Sequence, residues 1–370
     1  MTDTDQMAAL PPPAAAHGGP RVAIVTCMKN EGPFALDWIA YHRAIGIGDF
    51  LIYTNDCDDG TDALLDRLAL RGAVRRLDNP FDKAAGDRPQ HAALRDAPRR
   101  APVAGADWVL PIDVDEYLAI HAGDGTFRDL LCACEGLAGR APDLISITWR
   151  LFGNDGTTQF ADRPVIAQFT RCAAEYRPKP HQAWGFKTAF RQPLAFERFG
   201  VHRPVKPLPG AEDALWLDGS GRPMPPDMVK RGWRSDRRCW GYGLASLNHY
   251  AVRSAESFLV KRARGRVNHV DRDQGLAYWW VMNRNEAEDH RIRRMIPAMR
   301  AELRALKADP EVRRLHQACL SAHRRKIKAL RADPAQADLL AQIAGPRLDA
   351  LSREDRAYAG QEFANGPPPP

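Results

Sequence analysis

Short Val/Ile-rich runs alternate with stretches of helical periodicity along the first 150 residues, and this alternation restricts the possible folds more than any other feature. Arg21 to Thr26 (RVAIVT) reads as a central parallel strand, being apolar almost throughout and rich in β-branched residues. Pro33 suits the first turn of a helix in which Phe34, Trp38, Ile39, Tyr41, His42 and Ile45 recur at helical spacing until Gly46. Asp49 to Thr54 (DFLIYT) is a second strand and Val74 to Leu77 a third. Between them lies a helix capped by Thr61 or Asp62 and closed by Gly72. Strands separated by helices of about ten to fifteen residues predict right-handed βαβ units and an α/β, doubly wound, mostly parallel sheet flanked by helices.

Into this pattern falls Asp107-Trp108-Val109-Leu110-Pro111-Ile112-Asp113-Val114-Asp115-Glu116-Tyr117. Trp108, Val109, Leu110 and Ile112 form a buried-strand run that ends abruptly in three carboxylates. Carboxylates are not buried unpaired, so Asp113, Asp115 and Glu116 must meet water, a cation or basic side chains where the strand emerges. In an open α/β sheet the carboxyl ends of the strands are where ligands bind. A second acidic loop, Asn55 to Asp59, also follows a strand and belongs on the same edge. Two carboxylates one residue apart can share Mn²⁺ or Mg²⁺, the ion's other positions going to waters and substrate phosphates.

Composition narrows the class. The 370 residues are 44% hydrophobic and 27% charged, an ordinary globular balance with length enough for a large core. No run of about 20 apolar residues exists, so no spanning helix is expected. Met1 to Pro20, Ala/Pro-rich and without a basic segment before an apolar core, is expected to be a disordered tail rather than a secretory leader. Seven scattered cysteines argue for a reducing, cytoplasmic compartment, and no Cys or His pair stands at zinc-finger spacing from Cys132 and Cys134. The net charge of +7 is matched by 13 Lys/Arg against 6 Asp/Glu between Asn285 and Arg331, so the basicity is a C-terminal feature. Such a bias suits a solvated helical face or peripheral contact with an anionic membrane. The expected organisation is therefore a tail (1–20), a sheet domain (21–260), a basic helical C-terminal extension (261–359) interrupted at Pro297, Pro310, Pro334 and Pro346, and a second tail (360–370).

The order of these motifs resembles the family 2 glycosyltransferases with the GT-A fold. The carriers are Asn30-Glu31 after the first strand, Trp38 and Tyr41-His42 in the helix, Asn55-Asp56-Cys57-Asp58-Asp59-Gly60-Thr61, and Asp113-Val114-Asp115-Glu116. More narrowly the chain resembles a bacterial branch whose loop reads NDC-x-DGT and whose metal motif reads D-x-DE, over about residues 21–260. The resemblance implies a metal-dependent, inverting hexosyltransferase-type enzyme. Its donor would be a nucleotide sugar, most simply a UDP-sugar, and its acceptor a hydroxyl of a cell-surface glycan or lipid-linked precursor in polysaccharide biosynthesis. It implies that Thr26, Asn30, Glu31, Asp59 and Asp113 lie against the nucleotide, and that Asp113 and Asp115 hold the cation.

Asn248-His249-Tyr250 with Arg253, Ser254, Glu256, Phe258 and Lys261 resembles the closing motif of this branch. His249 is a further metal ligand or a phosphate donor, and Arg253 and Lys261 are partners for the diphosphate. Lys187 in Trp184 to Phe190 (WGFKTAF) and His202 are further site residues. An inverting transfer needs a general base. Glu212-Asp213 is the adjacent acidic pair in the loop-rich region, with Asp218 and Asp227 as competitors. Three other classes compete. A haloacid-dehalogenase-type phosphatase would carry Thr or Val where Tyr117 stands. A sugar nucleotidyltransferase would carry a Gly-rich, Lys-bearing first loop. A non-catalytic module of the same fold would dock a membrane or partner through the basic C-terminal helices. No nucleic-acid partner is expected.

Overall fold

The computed structural model describes residues 9–16, 18–177, 180–230, 232–265 and 275–344. Arg266, Pro346 and the expected tail 360–370 lie outside the described residues. The first half alternates as the periodicity predicts: β1 (Val22–Met28), α1 (Gly32–Ala44), β2 (Asp49–Thr54), α2 (Thr61–Leu70), β3 (Arg75–Asp78), α3 (Pro89–Asp96) and β4 (Trp108–Pro111). Then follow β5 (Glu116–Ile120), α4 (Phe127–Ala138), β6 (Leu144–Leu151), α5 (Val165–Gln168), β7 (Arg171–Cys172), β8 (Phe186–Arg191), β9 (Phe196–Arg198), β10 (Val205–Pro207), β11 (Trp216–Asp218) and β12 (Ala245–His249). The chain continues through α6 (Ala255–Ala263), α7 (Leu276–Met282), β13 (Ala287–Glu288), α8 (Ile296–Leu306), α9 (Pro310–Ala332) and α10 (Pro334–Ala344).

The main sheet has the order β3-β2-β1-β4-β8-β6-β12-β5, with β11 beside β6. β3, β2, β1 and β4 run parallel, as do β6, β11 and β12. β8 is antiparallel to β4 and β6, and β5 to β12. This is the α/β sheet the sequence predicts, with antiparallel members on one side. Alternation along β1 divides the core. Val22, Ile24 and Met28 pack with α1 residues Leu36 and Ile39, while Ala23, Val25 and Cys27 pack on the opposite face with Ala93 and Leu94 of α3.

Three expectations need correction. The N-terminal stretch is packed from Leu10 onward: Leu10 is buried, its N–H donates to Arg71 O at 2.8 Å, and Pro11 O accepts from Arg43 Nη2 at 2.7 Å. An apolar residue followed by prolines needs little ordering entropy to fill such a slot. The prolines of the C-terminal third start helices instead of interrupting them, Pro297, Pro310 and Pro334 standing in first turns where no N–H is missed. Neither Thr61 nor Asp62 is the N-cap of α2. That position is Gly60, at φ 95°, and Thr61 Oγ1 instead accepts from the N–H groups of Glu31 and Gly32 at the start of α1, at 3.0 and 2.7 Å.

The C-terminal helices share the core of the sheet. Met299, Leu306, Val312 and Cys319 join the cluster that holds Leu36 and Ile39, and Arg43 pairs with Glu302 at 2.8 Å and Arg67 with Asp309 at 2.8 Å. α9 is amphipathic, burying Val312, His316, Cys319, Leu320, His323 and Ile327 and leaving Arg324, Arg325, Lys326 and Lys328 exposed.

Candidate active site

β4 ends at Pro111, and the chain makes a tight corner before β5 turns back along β12. Glu116 closes the corner, its Oε2 accepting from Asp113 N–H at 2.7 Å and its own N–H donating to Asp113 O at 3.0 Å. Asp113 is left half-exposed, held by Gln90 Nε2 at 2.8 Å and Lys187 Nζ at 3.0 Å. Lys187 comes from β8, opposite Ile147, and its side chain is fully enclosed, 3.8 Å from Glu116. Burial alone would lower its pKa, but Asp113 and Glu116 outweigh burial and raise it. Glu116 moves the other way from an ordinary carboxylate. Burial pushes it well up, Lys187 opposes, and Asp113 and Asp115 add to the rise. Among the described residues its Oε1 has no hydrogen-bond partner.

Asp115 sits at the centre of a second group. Its Oδ2 lies 2.6 Å from Lys261 Nζ and 3.6 Å from His249 Nε2, and its backbone O accepts from Tyr250 N–H at 2.8 Å. Register explains the meeting: β12 pairs His249 with Glu116, so the imidazole arrives beside the corner. α6 follows at once, its N-terminus capped by Ser254 accepting from Ser257 N–H at 3.2 Å, and Lys261 reaches back to Asp115 and to Ala251 O at 2.7 Å. Burial would raise the Asp115 carboxyl, yet Lys261, His249 and Arg253 together hold it well below the usual carboxylate range.

The donor set suits a divalent cation. Two ligands of one small ion, at about 2.1 Å each, stand no more than about 4.2 Å apart, and Asp115 and His249 meet that limit at 3.6 Å. The Lys261 ammonium occupies the same Asp115 oxygen that such a cation would need. Among the described residues no three His, Cys, Asp or Glu groups close into a metal cage. An ion here would therefore rest on Asp115 and His249, with Asp113 beside them, and complete its shell with substrate oxygens, the usual habit of Mg²⁺.

The Asn30-Glu31 loop faces the same edge but is internally committed. Asn30, at φ 53°, exchanges hydrogen bonds with Asp58, donating to Oδ1 at 2.6 Å and accepting from its N–H at 2.8 Å. Glu31 is buried between two guanidinium groups, Arg253 Nη1 at 3.2 Å and the closely contacting Arg264. Arg253 also donates to Val114 O at 3.1 Å and lies 3.6 Å over the Phe34 ring. Its φ of 52° is costly for a residue with a Cβ, and such strain concentrates at functional sites. Asp59 accepts from Gly32 N–H at 3.2 Å and Thr61 N–H at 2.8 Å. Thr26, on β1, is buried, and its hydroxyl has no partner among the described residues. Asn30, Glu31 and Asp59 thus shape the edge in this structure rather than offer free groups to a nucleotide.

Glu212 and Asp213 are not brought to the site. β6 runs parallel to β4, since both oppose β8, and β11 pairs at the start of β6, Trp216 against Leu144. Glu212 and Asp213, just before β11, are therefore exposed at the opposite sheet edge from Asp113, with Arg140 bonded to Asp213 O at 2.7 Å. Asp218 is buried and bound to Arg222 at 2.9 Å, and Asp227 pairs with Arg238 at 3.1 Å. His202, by contrast, lies beside Lys187: its Nδ1 meets Phe186 O at 2.9 Å, so Nδ1 carries the hydrogen, and burial together with Lys187 lowers its pKa to about 4. Sequence reasoning missed Gln90 and Arg264 as clasps of Asp113 and Glu31; nothing local marks either one.

Residues 23–137, which carry β1 to the carboxylate corner, match the model of glycosyltransferase family 92. A glycosyltransferase family 92 protein from Oryza sativa subsp. japonica is 31% identical over 160 residues, 43% of this chain and 26% of the relative. One from Ricinus communis is 35% identical over 153 residues, 39% of this chain and 25% of the relative. The chain spans about a quarter of the length of these relatives. Among solved structures, glucosyl-3-phosphoglycerate synthase from Mycobacterium tuberculosis aligns with 50% of this chain and 60% of its own at 17% identity and a TM-score of 0.27, and nothing further rests on that alignment. The similarity found by sequence is thus to a glycosyltransferase family, family 92, and not specifically to the family 2 branch that the motifs resemble.

Proposed function

We propose that this chain is a metal-dependent, inverting glycosyltransferase that moves a sugar from a nucleotide-sugar donor, a UDP-sugar first among them, to a hydroxyl of a cell-surface glycan or lipid-linked precursor. The observation that carries the proposal is the corner Asp113–Glu116 at the carboxyl end of β4, with Lys187, Lys261 and His249 gathered on it. Mn²⁺ or Mg²⁺, when bound, stabilises the charge that builds on a departing diphosphate without proton transfer. Asp115 and His249 would hold that ion, with Asp113 beside them. Lys261, once released from Asp115, becomes a cationic partner for the diphosphate, and Lys187 orients Asp113 through its 3.0 Å contact. His202 stays unprotonated at neutral pH and leaves Nε2 able to take the acceptor hydroxyl's proton. The exposed basic face of α9 offers a peripheral contact with an anionic membrane at its cytoplasmic side.

The test is a panel of nucleotide sugars with and without Mn²⁺ or Mg²⁺, scored by release of the nucleoside diphosphate. Metal-dependent release from one of them supports the proposal, and no release from any, in protein that melts cooperatively, rejects it. His202→Gln should lower kcat while leaving donor KM unchanged.

A further inference from the structure

A cleft of about 480 Å³ opens beside the carboxylate corner, lined by α3 residues His91 and Arg95 with Arg88 before them, by Arg198 and Arg203 with the β9–β10 segment, and by Trp233. Among the described residues none that lines it is acidic. Its lining reaches towards the corner through His202, which feels the charges of Lys187 and Asp113, and Gln90, which holds Asp113 Oδ1 at 2.8 Å, precedes the lining residue His91 in the chain.

Positive charge converges on this space, and among the described residues two of its four guanidiniums stand outside any ion pair. Among the described residues neither Arg88 nor Arg203 has a carboxylate partner. Arg203 is pinned by two backbone carbonyls, Gly232 O at 3.0 Å and Pro204 O at 2.9 Å, which aims a half-buried guanidinium without neutralising it. Arg95 is paired with Asp87 at 2.8 Å, and Arg198 stands 3.6 Å from Glu197, which also serves Lys206. His91 registers the field: after burial, the charges of Arg88, Arg95 and Arg198 are what lower its pKa. Four guanidiniums around a roomy cleft make a site for an anion, since an arginine fork matches phosphate and carboxylate oxygens. Phe199 and Trp233, also in the lining, add apolar faces of the kind sugar rings stack on.

We infer that this cleft is the acceptor site and that the acceptor is an anionic sugar, one carrying a phosphate or carboxylate group, which Arg88, Arg198 and Arg203 engage while a hydroxyl is presented to the Asp113 corner. The inference rests on the glycosyltransferase proposal for its use of the word acceptor, but its binding test does not. Calorimetric titration with a hexose 6-phosphate, a methyl glucuronide and a neutral methyl glucoside reads the cleft directly. At least one anionic sugar should bind roughly 10-fold or more tightly than the neutral one, the better of the two identifying the group, and binding should weaken with salt. Arg88→Gln and Arg198→Gln, both at exposed positions, should each cost roughly 10-fold in affinity for that sugar without changing the melting temperature. Equal binding of charged and neutral sugars, or undiminished binding by both variants, overturns the inference. Metal-dependent donor hydrolysis is scored separately: anionic binding without hydrolysis of any donor removes the enzyme reading and keeps the site, while hydrolysis without anionic preference does the reverse.

Discussion

Lys261 donates to Asp115 across 146 residues of sequence, Nζ 2.6 Å from Oδ2. The contact joins the first helix after β12 to the corner after β4, and it puts the ammonium on the carboxylate oxygen proposed to hold the divalent ion. Asp115→Ala should reduce metal-dependent nucleoside diphosphate release by at least 100-fold. It should also cost about 1–3 kcal/mol of stability, because Lys261 is left with Ala251 O alone. Asp115→Asn should lose as much activity at a smaller stability cost. Turnover by Asp115→Asn close to that of the unsubstituted protein would remove Asp115 from the metal site.

Thr61 is a structural pivot of the same edge. Its hydroxyl accepts from the N–H groups of Glu31 and Gly32 and lies against Asp59 at 2.5 Å. Thr61→Val keeps the shape but orphans the buried Glu31 N–H and leaves Gly32 N–H to Asp59 alone, so unfolding in denaturant should show a loss of about 1–3 kcal/mol. A change below 0.5 kcal/mol would mean that water replaces the hydroxyl.

His42 couples the fold to acid. It is fully enclosed, hydrogen-bonded to Trp38 O at 2.9 Å, and burial lowers its pKa to about 3. The folded value lies below the unfolded one of about 6.5, so the unfolded chain binds the extra proton between these limits. Stability from this residue is complete above pH 6.5 and is lost as pH falls, at up to about 1.4 kcal/mol per unit. His42→Leu should flatten the melting-temperature profile between pH 6.5 and 4, read by calorimetry against the unsubstituted protein. An unaltered slope would place the acid sensitivity in His121, His202 or His323, each lowered to about 4.

Arg324, Arg325, Lys326 and Lys328 share the exposed side of α9 while His323 and Ile327 face the core. Reversing the four charges should leave the helix packed and weaken sedimentation with phosphatidylserine vesicles by at least 10-fold at low salt. Binding indifferent to the reversal would identify the face as solvated surface only.

Much of the scaffold was legible locally. β1, α1, β2, α2 and the strand running into Asp113 follow from periodicity and β-branching, because their apolar patterns match the two faces of one sheet. The requirement that Asp113, Asp115 and Glu116 meet basic groups also follows from the sequence, since burying carboxylates unpaired is too costly. Which basic groups meet them was decided by tertiary structure. Lys187, Lys261 and His249 arrive through β8, α6 and β12, whose order in the sheet is no function of their spacing along the chain.

The same reason accounts for the misplacement of Glu212 and Asp213. Their acidity is visible in the sequence, but the parallel pairing of β11 with the start of β6 carries them to the far edge. The basic cleft is the converse case, assembled from Arg88, His91, Arg95, Arg198 and Arg203, residues unremarkable where they stand and brought to one cleft only by the tertiary fold. Sequence by itself determined the sheet, its α/β class and an acidic corner that had to be neutralised. The neutralising partners, the edge each loop reaches and the charge of the neighbouring cleft are long-range properties, decided by strand order and packing.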